Sequence, residues 1–424
     1  MGREFEWLWV AYTISACGTW LAFDAFAVLA VRALDAGPGA VSLLAAAGPA
    51  AGALLALPLG PVVEFRRKRP VLVAMDLLRG AVLLSVPAGY ALGVLGFAQL
   101  LVVAIVVGTA DLTFTAASGA YLKSLVRPEL LLRANGRFEA TTWTAALFGP
   151  PLGGVAVGLC GPAVTVLANA VSFLLSAAAL RGAGTAERPP VRAGGARLRA
   201  ADLLAGWWQL LTDPLLRPLL GNVVLVNGLI MATAPLLAVL MLGPLGFTPW
   251  QYGLAFALPC AGGLLGARLA RPLAARFGQR RVLLGAGVAR VCWPIGLVFV
   301  GPGTGGLLLV TAVQSGLVLS SAVFTPIVAT VRLNALPAAV VTPSLAAWSV
   351  GTKGGTAALI ALAGLVAAVT DARTALGVAG VLLLGTPLLL LPVSRAGRAA
   401  PAALPSAPPV PRPGAAVPDP PSPR

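Results

Sequence analysis

Three ionisable residues, Asp24, Asp111 and Lys353, lie inside long apolar runs. A charge in hydrocarbon is costly, so such residues face a bundle interior, a polar cavity or an opposite charge. Two chemistries are open to them: a static ion pair or polar packing network, or pairing with an ion that enters and leaves. Lys353 is the hardest to explain as an end residue that snorkels to water, because it lies about 15 Å of helix beyond Pro343. Asp76 and Arg79 share one helical face toward the entry of their segment, where a static pair is the economical account. Asn222, Asn227 and Gln314 are hydrogen-bonding candidates in apolar segments, with bonding inside their own helix as the alternative.

Other chemistries are excluded or unsupported. The chain has no histidine, which removes histidine metal ligands and a histidine proton relay. Cys17, Cys160, Cys260 and Cys292 fall in apolar segments without paired spacing, so neither a disulfide nor a metal site is expected. Gly149-Pro150-Pro151-Leu152-Gly153-Gly154 is not a phosphate loop, since no Lys-Ser or Lys-Thr follows it. Its glycines suit close helix packing, and its prolines perturb a helix beside a cavity. No enzymatic activity and no cofactor are expected.

The elements that hold these residues follow from composition. With 58% hydrophobic and 10% charged residues the chain departs from soluble and from disordered classes alike. Six apolar segments are expected at 7–31, 40–63, 71–92, 96–121, 138–159 and 162–180, and six more at 219–242, 248–268, 281–301, 305–329, 343–368 and 374–393. Each is long enough for a bilayer core, which needs roughly 20 helical residues. The expected fold is an all-α membrane protein with two six-helix bundles, 1–180 and 219–393. An arginine-rich connector, 181–218, joins them, and 394–424 reads as a disordered Pro/Ala-rich tail. The start reads as a retained spanning helix rather than a cleaved leader.

A net charge of +16 would ordinarily raise nucleic-acid binding, but the basic residues come in short bursts between apolar segments. That is the loop pattern of a multi-pass protein of the cytoplasmic membrane. Arg66, Arg67, Lys68 and Arg69, then Lys123, Arg127 and Arg133, then Arg271, Arg276, Arg280 and Arg281 fall on one side. The positive-inside bias places that side, both termini and the connector in the cytoplasm.

An internal match supports two related halves. Arg69-Pro70-Val71-Leu72 precedes Arg79 just as Arg280-Arg281-Val282-Leu283 precedes Arg290. The run from Gly60 to Arg69 resembles the loop between helices two and three of the major facilitator superfamily. Gly60 stands for its leading glycine, Glu64 for its acid, and Lys68 and Arg69 for its basic pair, while Arg67 replaces an expected glycine. The counterpart from Arg271 to Arg280 has Ala275 in place of the acid. Within 125–180, the runs Arg133-Ala134-Asn135, Gly149 to Gly154 and Asn169 to Ser176 resemble the branch that holds bacterial siderophore and macrolide exporters.

The resemblance implies alternating access around a central route lined by helices one, four, seven and ten. Asp24, Asp111, Lys353, Asn222, Asn227 and Gln314 are then substrate or proton-coupling candidates. Gly60, Glu64, Lys68 and Arg69, with Asp76, Arg79 and Arg290, become latch or gate candidates. It implies efflux of a small organic compound, a drug or secondary metabolite, against proton influx, by a monomer in contact with lipid. An uptake permease and a non-transporting receptor or scaffold are the alternatives. One expectation is testable directly: a cysteine placed in the 181–218 connector reacts with an impermeant reagent in opened cells and stays unlabelled in intact ones. Labelling in intact cells would invert the topology.

Overall fold

The structure, a computed structural model, describes residues 2–23, 25–64, 66–127, 130–182, 200–337 and 340–391. Among them, twelve helices are long and apolar enough to cross a membrane. They are α1 (Arg3–Leu21, continued by Ala25–Val28 and a π turn at Leu29–Ala33), α2 (Pro38–Glu64), α3 (Lys68–Ala91), α4 (Phe97–Leu125), α5 (Leu131–Cys160) and α6 (Pro162–Gly182). The second set is α7 (Leu216–Leu242), α8 (Pro249–Phe277), α9 (Gln279–Cys292), α10 (Gly303–Ala335), α11 (Val341–Val369) and α12 (Ala372–Gly385). Large apolar side chains such as Leu54, Leu159 and Val369 stay exposed on the outside of the bundle, as lipid contact requires.

Local chemistry sets the helix ends. Pro38 and Pro162 open α2 and α6, where a missing N–H costs no bond, and Gly161 turns with φ of 86° between α5 and α6. Gln251 Oε1 accepts from the Thr248 N–H at 2.9 Å ahead of α8. The Asp371 carboxylate accepts from the backbone of Arg373 (2.7 Å) and Thr374 (2.9 Å) to cap α12. The hydrogen bond from the Thr374 hydroxyl, with these backbone bonds behind it, holds its carboxyl below the usual range.

Several segments differ from the sequence expectation. The first is not one continuous helix: α1 stops at Leu21 and resumes at Ala25. The ninth stops at Cys292 and passes into a 3-10 stretch, Pro294–Phe299, because Pro294 has no N–H for the helical ladder. Inside the 181–218 connector, Ala200–Thr212 forms a linker helix. Its Trp207 packs over Gly351 and its Leu210 is fully buried, while Leu204 and Trp208 face outward. Asp213 then accepts from the Leu215 and Leu216 N–H groups at 2.8 and 2.9 Å, which starts α7 earlier than expected. Residues 183–199 of the connector and the expected tail at 394–424 lie outside the described residues.

The two halves meet mainly at the ends of the helices remote from the chain termini. There α2 lies on α11, with an added Cβ at Gly39 only 3.0 Å from the Ala368 Cβ. Likewise α5 lies on α8, where a Cβ at Gly154 would stand 2.6 Å from the Pro249 carbonyl oxygen. Arg32 adds a bond from its Nη2 to the Phe247 carbonyl at 3.2 Å. Small residues let backbones touch without a side chain between them, and dispersion at that distance replaces the hydrophobic drive absent in lipid.

Gly149 and Gly153 of the same run face α1 instead: a Cβ at Gly149 would come 2.7 Å from the Trp20 carbonyl carbon, and one at Gly153 2.9 Å from that of Leu21. The run therefore joins two different interfaces, one within a half and one between halves. Gly154→Leu should prise open only the second. A reporter cysteine at Thr356 should then become roughly tenfold more reactive from the side opposite the termini, a bias of about 1.4 kcal/mol. Gly153→Leu should instead lower folded yield. Equal behaviour of the two variants would contradict this assignment.

Candidate functional site

A cavity of about 1110 Å³ lies between the halves at mid-depth. Its walls come from α2, α4 and α5 on one side and α7, α8, α10 and α11 on the other. A side pocket of about 450 Å³ shares Ala267 and Pro326 with it and runs between α8 and α10 toward Gln279. The cavity thus continues toward the terminal end, while the glycine contacts close the far end.

Asp111 of α4 and Lys353 of α11 face this cavity from opposite halves. Each is near the middle of its helix, about 18 Å into α11 for Lys353. The lysine stem has room because Gly52 lies opposite: a Cβ there would be 4.0 Å from the Lys353 Cδ. Of the amide candidates, Asn227 and Gln314 line the same space.

Asn222 does not. It is 1% exposed, its Nδ2 donates to the Thr386 carbonyl at 3.0 Å and its Oδ1 accepts from Arg290 Nη2 at 2.7 Å. Both amide functions are spent inside the C-terminal half, which corrects the expectation that it faces a substrate. Asp24 lies outside the described residues, at the interruption of α1.

Behind Asp111 is a buried charge cluster. Arg79 donates through Nη1 to Asp111 Oδ1 at 3.0 Å and through Nη2 to Asp76 Oδ1. Ser176 completes Asp76 with a 2.6 Å bond to Oδ2. The guanidinium lies over the Phe114 and Phe173 rings, 4.5 and 4.2 Å from their centroids, where ring faces favour a cation. Asp76 and Arg79 are 0% and 3% exposed, whereas Asp111 is 65% exposed to the cavity. The pair is therefore deep in α3, about 12 to 17 Å beyond Lys68, and not at the helix entry as expected.

Arg290 repeats this position in α9, over Phe324 at 3.5 Å, but its described partner is the neutral Asn222 amide. The Phe114-Thr115 and Phe324-Thr325 pairs are a further repeat that the sequence reading missed. Also missed were Thr115, Ser321, Thr325, Thr352 and Thr356 on the cavity wall, together with Trp143 and Phe256. A signal existed: Asp111/Thr115, Ser321/Thr325 and Thr352/Thr356 are polar pairs at i, i+4, one polar stripe each on an apolar helix.

The latch candidates are placed in part. The Lys68 ammonium donates to the Arg66 carbonyl at 3.1 Å. Arg69 Nε donates to the Leu180 carbonyl at 2.7 Å and its Nη2 to that of Arg181, so it satisfies open carbonyls at the end of α6. The Glu64 side chain lies outside the described residues, while the backbone of Gly60 and Glu64 continues α2.

A family model described as Major Facilitator Superfamily matches residues 8–342. No match was found among curated proteins. Similar solved structures include a bacterial homologue of the iron transporter ferroportin in an inward-facing state, at 16% identity over 92% of this chain and 98% of that one, TM-score 0.74. The nucleoside transporter NupG aligns at 11% identity over 93% and 99% of the two chains, TM-score 0.70. A POT family transporter in complex with 5-aminolevulinic acid aligns at 11% identity over 93% and 97%, TM-score 0.72. At these identities the likeness is one of fold.

The cluster makes one stability prediction. Arg79→Met would strand a buried Asp76 carboxylate, at a cost of about 3–5 kcal/mol. Adding Asp76→Asn should return part of that loss, because the amide carries no charge. Thermal unfolding of the purified single and double variants reads this; a wild-type midpoint for Arg79→Met would show that the pair carries no stability.

Proposed function

The chain belongs to the major facilitator superfamily and is a multi-pass membrane protein with a transporter fold, and from that premise we propose that it is a proton-coupled exporter of a small organic compound, a drug or secondary metabolite. The observation that carries the reading is the Asp111 and Lys353 pair facing one cavity from opposite halves. A site built that way changes its walls whenever the halves rock, which is what alternating access needs. Asp111, whose carboxylate is open to the cavity, is a group through which proton and substrate binding are linked.

The cavity suits an amphipathic compound of modest size. Trp143, Phe256, Leu317 and Ile230 offer apolar surface, and Asn227, Gln314 and Thr356 offer hydrogen bonds. Export, and not uptake, rests on the exporter-like runs at 133–135, 149–154 and 169–176. Gly60, Glu64, Lys68 and Arg69 then tune the exchange between states, with Arg69 on the end of α6 as the contact that supports this role.

Inside-out vesicles holding the protein, loaded with an acidic lumen, should accumulate a fluorescent amphipathic compound from a test panel, and a proton ionophore should abolish the accumulation. Movement in the opposite direction would make the protein an uptake permease. Movement of no compound across the panel would leave a receptor or scaffold as the reading.

A further inference from the structure

The charges around the cavity can be counted by wall. Asp76 and Arg79 form a buried pair that cancels, so among the described residues the Asp111 carboxylate is left as the net negative charge of the N-terminal wall. One of its oxygens is held by Arg79; the other accepts no hydrogen bond from the described residues. On the facing wall Lys353 has neither a hydrogen bond nor an ion pair among the described residues, and Asp111 is the described carboxylate that lines the same cavity.

The described side chains of the neighbours of α11 offer no substitute partner. On α2 the single charged residue is Glu64, at its last position with its side chain outside the described residues; α7 has Arg217 at its start; α12 has Arg373 at its far end. Asp213 sits between the linker helix and α7, the side chain of Asp202 lies outside the described residues, and Arg332 of α10 lies toward the terminal end. Asp24 lies outside the described residues as well. Among the described residues, Asp111 is thus the carboxylate that shares the cavity with Lys353.

We propose that the substrate is an amphipathic organic cation that replaces Lys353 as the counter-ion of Asp111, and that Lys353 is the group that gives up the exchanged proton. This rests on the export reading and deepens it. When a cation settles on Asp111, the lysine loses its counter-charge and gains a like charge beside it in an apolar site, and both effects disfavour its ammonium form. An N–H bond of the Lys353 ammonium breaks, its electron pair stays on Nζ, and the proton passes to water on the open side. Reprotonation of Lys353 after the cavity has opened to the other side restores the Asp111 pair and expels the cation. One proton exchanges for one monovalent cation, so the cavity charge is unchanged through the cycle. Trp143 and Phe256 line the same space and supply ring faces for such a cation.

Ethidium is a suitable cationic probe and a naphthalenesulfonate dye an anionic one. Purified full-length protein in weakly buffered detergent should release about one proton per ethidium bound, and the apparent Kd should rise about tenfold for each unit of falling pH. Lys353→Met should bind ethidium without proton release and with little pH dependence, and in proteoliposomes should move it without coupling to a pH gradient. Lys353→Arg, which keeps a charge that does not dissociate, should bind it poorly at every pH, and Asp111→Asn should lose binding. Proton release and pH dependence unchanged in Lys353→Met overturn the assignment of Lys353. Binding of the sulfonate alone, lost in Lys353→Met, overturns the substrate class, as does binding of neither probe. These results leave the export reading standing if other compounds are still driven by the gradient. That reading fails separately if wild-type vesicles drive no compound of the panel.

Discussion

A full charge in the middle of a hydrocarbon layer must be matched within reach of its own side chain, and the interior of this protein is arranged around that requirement. Arg79 meets it with two carboxylates, a serine-supported Asp76 on its own helix and Asp111 on the next, and with two aromatic faces. Three helices, α3, α4 and α6, are thereby fixed relative to one another. Of these two carboxylates, Asp111 is the one open to the central space. The related position in the second half, Arg290, is met by an amide and a ring. Two halves that share a repeat thus differ in what they present: the first offers a carboxylate to the cavity, and the second offers an amine from another helix.

The second constraint is closeness. Lipid gives helices no reason to associate beyond packing and polar bonds, so the halves are held where Gly39, Gly154, Gly253 and Gly364 bring backbone close to backbone. These contacts are good only at short range and are lost once the helices part. A seam of that kind can be made and broken as a unit, which suits the proposed alternating access.

Much of the fold was legible in the sequence because the bilayer imposes a length and a loop charge pattern that any reader can see. The expected spans 71–92 and 162–180 agree with α3 and α6 to within a few positions. The linker helix was overlooked for a physical reason: its amphipathic stretch, with Trp207 and Leu210 on one face, sits beside a dense run of arginines and prolines. The site was legible in kind and less so in orientation. Asp111 and Lys353 advertise themselves as intramembrane charges, but nothing in the local sequence of Asn222 tells whether it points to the cavity or, as it does, to Arg290 and Thr386. That choice is made by the rotation of α7 against α9 and α12, a property of the packed bundle. The depth of Asp76 is hidden in the sequence for the same reason, since it depends on where the membrane-spanning stretch begins.

The shared depth of Asp111 and Lys353 has an electrical consequence. Both lie near the middle of their helices, so the line joining them runs across the bundle more than along the membrane normal. A charge carried through the whole membrane is worth about 2.3 kcal/mol per 100 mV. In the proposed alternating-access cycle, rocking of the halves about this level displaces the two opposite charges by similar small amounts along the field, and their contributions oppose each other. The conformational step is thereby insulated from the membrane voltage, and the direction of net movement is left to the chemical gradients of the species that enter and leave the cavity.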